Sequence, residues 1–125
     1  MSTTANIREL KLPHVQVRAC ADGTVEVIDS ELARIVKTTN HEEALKTAVN
    51  KAKHGTLYIT NGTYTFTELE LENIVIYASP FVTLDGTLKI LGDVYIFGYP
   101  KVKAVDTSQA DTNNRDYHLE VDIIG

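Results

Sequence analysis

The chain lacks the residues and runs that mark several classes of protein. Its 125 residues include one cysteine, Cys20, and no tryptophan. A single cysteine excludes an intrachain disulfide, and with it a disulfide-stapled scaffold. No hydrophobic run is long enough for a membrane helix, and the polar first residues are not typical of a signal peptide. We therefore expect a protein that is made inside the cell and does not enter a membrane.

Positive charge is also scarce, which limits the partners and the chemistry. The formal net charge is −5, and a nucleic-acid partner would require a basic face. Residues 56–106 contain neither arginine nor histidine, so they lack two side chains that catalytic clusters commonly use. The four histidines do not show the spacing of a metal pair; they are His14, His41, His54 and His118. We predict no catalytic residue, no metal and no cofactor.

The stretch from Asn40 to Tyr64 organises the rest of the chain. Asn40 can cap a helix, and Glu43 then lies at the position that completes a capping box. Gly55 is a typical residue for the end of that helix. The apolar positions form one stripe, which predicts a buried helix face; they are Ala44, Leu45, Ala48, Val49 and Ala52.

After the helix the hydrophobic period changes to two, which predicts strands. Leu57 and Ile59 share one side of the first strand. Asn61 and Gly62 form a strong turn signal because both tolerate positive φ. Glutamates then alternate with leucines over residues 68–72, which indicates a strand with a solvated acidic face.

Residues 81–104 repeat in units of six. Written in sixes they read FVTLDG, TLKILG, DVYIFG and YPKVKA, with a glycine or alanine closing each unit. Such columns indicate short stacked strands with small residues at the bends. Three arrangements fit the repeat. They are a β-helix, an antiparallel meander with hairpin turns such as Asp85-Gly86, and a left-handed hexapeptide helix, whose usual repeat number is larger. The preceding helix and strand favour the β-helix.

The helix, the strand and the turn together resemble the opening of the pectate-lyase-like right-handed β-helix superfamily. The matching residues are Ala44, Leu45, Ala48, Val49, Ala52, Gly55, Leu57, Tyr58, Ile59, Gly62 and Tyr64. Two positions depart from the family pattern, which often has proline at Thr60 and an acidic residue at Asn40. The resemblance implies that the helix plugs one end of the stack and that asparagines such as Asn61 and Asn73 stack at coil corners. The superfamily includes polysaccharide lyases and hydrolases, phage tailspikes and non-enzymatic virion proteins, often as trimers.

The chain is predicted to divide into three segments of one compact domain. Residues 1–39 form an N-terminal arm and a β-hairpin around Asp22-Gly23. The stretch 29–37 is ambiguous, because it fits a helical turn or a strand, and a short strand or irregular link is favoured. Residues 40–106 form the cap helix and the short β-helix. Residues 107–125 form a polar loop or arm, followed by a C-terminal strand that can pair with a neighbouring subunit. The residues assigned to that assembly strand are Leu119, Val121, Ile123 and Ile124.

The predicted fold is mainly β, a short right-handed parallel β-helix with one N-terminal capping α-helix, preceded by a β-hairpin. The resemblance and the missing catalytic cluster favour a non-enzymatic phage virion structural protein that is made in the host cytoplasm. Within that class we expect a capsid decoration protein that forms a homotrimer and binds the major capsid protein or another virion protein. The alternative is a carbohydrate-binding module or a tail or tailspike component derived from a depolymerase. Five tyrosines are candidates to stack on a glycan: Tyr58, Tyr64, Tyr77, Tyr95 and Tyr99.

Overall fold

A computed structural model describes residues 14–29 and 33–125. These residues form a mainly β structure, a β-solenoid of about three turns with one long helix after an N-terminal hairpin region. The strands are β1 (His14–Ala19), β2 (Val25–Ile28), β3 (Arg34–Thr38), β4 (Thr56–Ile59), β5 (Gly62–Ala78), β6 (Val82–Phe97), β7 (Lys101–Asp106), β8 (Tyr117–Leu119) and β9 (Asp122–Ile123). The helices are α1 (His41–Ala52) and α2 (Ser108–Thr112).

The solenoid has three faces, and each consists of parallel strands. The first face contains β1, β4, the end of β5, the end of β6, and β8. The second contains the starts of β5, β6 and β7, followed by β9. The third contains the middles of β5 and β6 and the end of β7. This parallel pairing confirms the β-helix prediction and is incompatible with an antiparallel meander over residues 81–104.

The six-residue repeat corresponds to one face of a coil. Gly62 pairs with Val82 and Ile74 with Val94, so one turn of the coil takes about three units of the repeat. The prediction of separate short strands was wrong, because β5 and β6 are continuous strands of 17 and 16 residues. They bend at register shifts. At one bend Gly86 is required, because a Cβ there would lie 2.4 Å from the Phe66 carbonyl oxygen.

The N-terminal strands extend the first face. β1 and β2 form the predicted antiparallel hairpin, and β3 adds to β2. The ambiguous stretch 29–37 therefore ends in a strand. β1 also pairs in parallel with β4, so this hairpin is continuous with the solenoid sheet. The part of the predicted arm before residue 14 lies outside the described residues.

Helix α1 begins at the predicted cap but departs from the predicted end. Asn40 Oδ1 accepts from the Glu43 backbone N–H at 3.1 Å. The reciprocal bond of a capping box is replaced, because the Asn40 N–H donates to Thr38 Oγ1 instead. At the other end the left-handed residue is His54, at φ +68°, and not Gly55. Gly55 is buried, and its N–H donates to the Ala52 carbonyl at 2.8 Å.

Helix α1 closes one end of the solenoid. Its buried residues are Ala44, Leu45, Ala48 and Ala52, with Val49 partly buried beside them. Backbone N–H groups of β5 would otherwise face this end without a strand partner. His41 Nδ1 accepts from Thr65 N–H at 3.2 Å, and Glu42 Oε1 accepts from Thr67 N–H at 2.5 Å. The Thr67 hydrogen bond, followed by that of Lys46, lowers the pKa of Glu42, so the carboxylate that holds the helix in place stays ionised.

The C-terminal segment was predicted as a loop or arm over residues 107–118, and this prediction was wrong. It contains α2, whose Ala110 is fully buried against the solenoid, and then β8. The sequence shows no periodicity here because the elements are too short to repeat a pattern. Helix α2 has 5 residues and β8 has 3. The segment is ordered by its contacts with β6 and β7.

The two candidate ladder asparagines lie at different corners and do not stack on each other. Asn61 is exposed, and its Oδ1 accepts from Ser79 Oγ at 2.8 Å. Gly62, which follows it, has a φ of +151°. Asn73 occupies a left-handed corner position at φ +51°, in the same column as His54 and Asp93.

Candidate interface surfaces

The predicted assembly strand pairs within its own chain. β8 lies parallel to β6, and β9 lies parallel to β7. The Ile124 N–H donates to the Val102 carbonyl at 2.9 Å. Leu119 and Val121 are partly buried against the core, whereas Ile123 is 51% exposed and Ile124 is 52% exposed.

The end of the solenoid opposite α1 leaves inward-facing residues accessible. Four residues there each pair with a fully buried residue of the preceding strand, and we call them the terminal layer. Helix α2 covers this end with one buried residue, Ala110. Ile123 is half exposed and Tyr117 is 37% exposed. The members of the terminal layer are Val105, Tyr117, Leu119 and Ile123.

The outer side of the first face carries an uncharged surface rich in aromatic rings. The strand register places Tyr58, Tyr77 and Phe97 side by side in one column. Thr56, Val75 and Tyr95 form the neighbouring column on the same side of the sheet. We call these six residues the aromatic face. Tyr58 and Tyr77 are exposed, at 43% and 45%, and the other four are half-buried.

The rings of the aromatic face stack on one another. The Tyr58 and Tyr77 rings are stacked at a centroid distance of 5.5 Å, and Tyr77 and Phe97 at 5.4 Å. His14 and His118 lie at the two ends of this stack, at 6.3 Å from Tyr58 and 5.3 Å from Phe97. The strand register places these two histidines in the neighbouring column, beside Thr56 and Tyr95. Each central ring therefore covers the face of the next, and the edges of the rings point outward.

This stacking changes the interpretation of the tyrosines as glycan platforms. A sugar that stacks on an aromatic side chain requires an open ring face, which Tyr58 and Tyr77 do not offer. Tyr64 does not face outward at all, because it is fully buried and its hydroxyl donates to the Thr60 carbonyl at 2.8 Å. Burial is the main reason that its pKa is raised.

One corner of the solenoid carries isolated exposed rings. Phe81 is 75% exposed just before β6, and Tyr99 is 57% exposed between β6 and β7. The Tyr99 N–H donates to the Glu120 carbonyl, and Lys101 Nζ donates to the Pro80 carbonyl. These backbone contacts fix the corner while leaving both rings in solvent.

Arg115, which lies in the segment predicted to be a polar loop or arm, joins the C-terminal segment to the coil corner. Its guanidinium forms ion pairs with Glu72 and with Asp93, the latter at 2.6 Å. It also donates to Asn73 Oδ1 and to the Gly92 carbonyl, both at 3.4 Å. The hydrogen bond from Arg115, followed by that of Lys53, lowers the pKa of Glu72. Arg115 is 42 residues from Asn73 in sequence, so only the coil register could have revealed the cluster.

A groove of about 770 Å³ lies between α1 and β5, and glutamates line it. Glu42 pairs with Lys46 and Glu72 with Lys53 across its sides. Both carboxylates have lowered pKa values, whereas a general acid needs a raised one. Glu42 and Glu72 are therefore held in ion pairs at the sides of the groove, and neither has the raised pKa of a general acid.

The described part of the chain contains neither a candidate metal site nor a helix that could span a membrane. Within residues 14–29 and 33–125 the structure has no group of three or more histidine, cysteine, aspartate or glutamate side chains that could hold a metal ion. Among the helices of these same residues, none combines the length and the apolar character needed to cross a membrane.

Comparisons with known proteins do not assign the chain to a family. No protein-family model, no curated protein and no solved structure matches it.

Proposed function

We propose that the chain is a non-enzymatic structural protein of a phage virion, most simply a capsid decoration protein that binds the shell through the terminal layer. The observation that carries the proposal is the exposure of inward-facing apolar residues at one end, with Ile123 at 51% and Tyr117 at 37%. A solenoid end whose core positions remain accessible is a surface that a second protein can cover. The resemblance to virion β-helices supplies the virion location and the homotrimer, which both stay predictions.

The opposite end supports the same assignment, because it is closed in a different way. There, α1 covers the core with four buried residues and satisfies strand N–H groups with His41 and Glu42. The solenoid therefore has one end that is covered by α1 and one end whose apolar residues can bind another protein. A protein that decorates a surface needs one such binding end.

The test is incorporation into particles. Phage particles are purified by density gradient from cells that express a tagged copy of the chain, and the tag is detected by immunoblot. We expect the wild-type chain to co-purify, and Ile123→Asp to be lost from the particles because it places a charge in the terminal layer. Thr63→Asp is the control, since Thr63 is exposed on the second face, near the α1 end. Wild-type absence from particles, or full incorporation of I123D, would contradict the proposal.

A glycan-binding role, as a carbohydrate-binding module or tailspike component, is the second candidate. The exposed Phe81 and Tyr99 rings favour it, because among residues 14–29 and 33–125 neither ring has a stacked neighbour of the kind that Tyr77 has. Affinity electrophoresis in polysaccharide gels tests this role. Retardation that is lost in Phe81→Ala/Tyr99→Ala supports it, and equal mobility of both chains contradicts it.

A further inference from the structure

Residues 107–125 cross the end of the solenoid opposite α1, and we call them the strap. The strap contains α2, β8 and β9. Among its residues, all of which the structure describes, only Ala110 is fully buried, whereas every second residue of β6 is buried. Burial of apolar surface therefore stabilises the strap much less than the coils, and a segment with few buried contacts is the kind that opens locally.

Backbone hydrogen bonds join the strap to the edge of the last coil. The Glu120 N–H donates to the Ile96 carbonyl, and the Ile124 N–H donates to the Val102 carbonyl, both at 2.9 Å. A terminal unit of a solenoid has a neighbour on one side only. Separation of the strap would therefore leave the pairing of β5 with β6 intact.

Arg115, near the middle of the strap, provides its main charged contact with the coils. Its guanidinium pairs with Glu72 in β5 and with Asp93 in β6, so one side chain spans two successive coils. Lys53, just after α1, pairs with the other oxygen of Glu72 at 3.4 Å. Arg115, Glu72 and Asp93 are 28%, 30% and 45% exposed, so water weakens these ion pairs without removing them.

Two further carboxylates hold the strap near its beginning and near its end. Asp106 Oδ1, at the end of β7, accepts from the Ser108 N–H at 3.0 Å. Glu120 Oε1 accepts from the Gly98 N–H at 3.3 Å, and Glu120 Oε2 lies 3.1 Å from His118 Nε2. Ionised carboxylates therefore hold the strap at three places along its length.

We propose that the strap opens from the coils as one unit, that the ion pairs of Arg115 hold it closed, and that acid releases it while β5 and β6 stay folded. The geometry supports a single unit, because the one residue that reaches both coils lies between the helix and the strands of the strap.

The direction of the pH dependence follows from the carboxyls that hold the strap. Three of them have lowered pKa values, and in each the main cause is a hydrogen bond to a strap side chain. They are Glu72 with Arg115, Asp106 with Ser108, and Glu120 with His118. Lys53 and Lys89, outside the strap, lower the first two further. These contacts stabilise the closed strap above the ordinary values of 4.5 for glutamate and 3.8 for aspartate, and their contribution is lost as the pH falls through the lowered values.

Opening would displace most of the terminal layer, because Tyr117, Leu119 and Ile123 belong to the strap. Acid should then weaken attachment to a shell, a consequence that rests on the proposed function. Opening itself is a property of the isolated chain, so experiments on the purified protein decide it independently of shell binding.

Hydrogen exchange of the purified chain near neutral pH tests the role of Arg115. We expect the Glu120 and Ile124 amides to exchange faster than those in the middle of β5. Arg115→Gln should speed strap exchange about tenfold and leave β5 unchanged, because charge-assisted hydrogen bonds to the coils are lost. Lys46→Gln, which removes an equal charge from an exposed pair on α1, is the matched control and should exchange as wild type over the strap. Strap exchange that R115Q leaves unchanged, or that it speeds equally in β5, would overturn the proposal.

An acid titration of the wild-type chain keeps the test informative if R115Q does not fold. Amide correlation NMR spectra are recorded from neutral pH down to about pH 3. We expect the signals of residues 107–125 to move to unfolded positions at a higher pH than those of β5. A single transition in which the strap and β5 change together, or strap signals that stay folded until β5 unfolds, would contradict separate opening.

Discussion

Glu26 shows how a single residue can determine the acid stability of the N-terminal strands. It is 4% exposed and accepts hydrogen bonds from Arg18 and, at 2.8 Å, from Arg34. The hydrogen bond with Arg18 is the main cause of its lowered pKa, and Arg34 lowers it further. Because the folded-state pKa is below the ordinary 4.5, these pairs stabilise the fold above that pH. Their contribution is lost as the pH falls through the lowered value.

Replacing Glu26 by glutamine should therefore reduce the acid sensitivity of folding. We expect Glu26→Gln to be less stable than wild type at about pH 7, and to lose less stability than wild type between about pH 7 and about pH 3. Urea denaturation at several pH values measures both effects. Glu68→Gln, at an exposed strand position, should follow the wild-type curve. An E26Q curve parallel to wild type would show that Glu26 is not the relevant group.

The burial and the contacts of individual residues were harder to predict from the sequence than the elements or the fold. Tyr64 and Tyr77 occupy similar alternating patterns in the sequence, yet one is fully buried and the other is 45% exposed. The side on which a strand residue lies depends on where the coil bends, and register shifts at those bends change it. Arg115 could not be assigned for a different reason, because its partners Glu72 and Asp93 belong to other coils and are distant in sequence.

At the scale of elements, the helix was predictable because its signals are local. Asn40 accepts from Glu43 N–H as its N-cap, so Asn40→Ala should destabilise the protein by about 1 kcal/mol. Asn50→Ala, at an exposed position of the same helix, should be neutral or slightly stabilising, because alanine has the higher helix propensity. Thermal denaturation of both variants measures the difference. Equal stability of N40A and wild type would show that the cap does not contribute.

Glycines at the bends were also predictable, and Gly98 gives the sharpest test. Its φ is +106°, and a Cβ there would lie 1.6 Å from the Ala78 carbonyl oxygen. Gly23 also has positive φ, at +87°, but has nothing within 4 Å of the added Cβ. Gly23→Ala should therefore lower the free energy of unfolding by about 1–2 kcal/mol, through the strained backbone conformation alone.

Gly98→Ala adds a clash with the neighbouring coil and should cost about 3 kcal/mol or more. Chemical denaturation of the two variants separates the conformational cost from the steric one. Similar losses in both would mean that the coils at Gly98 are farther apart than the structure shows.

For the whole molecule, the fold class could be predicted from the sequence. The difference between the end covered by α1 and the end with the accessible terminal layer could not. The six-residue columns alone also fitted an antiparallel meander or a left-handed hexapeptide helix, and the preceding helix and strand favoured the parallel β-helix that the structure has. The terminal layer emerged only from the pairing of β8 and β9 with β6 and β7. The sequence showed those strands as apolar, but not that they add to their own chain.

The most direct measurement of the proposed function is immunogold electron microscopy of intact phage particles, with antibody raised against this chain. Attachment through the terminal layer predicts gold on the outer surface of the head, at many positions on each particle. Gold confined to the tail would contradict capsid decoration and favour the tail component. Particles without gold, from a lysate in which the chain is present, would contradict the virion location itself.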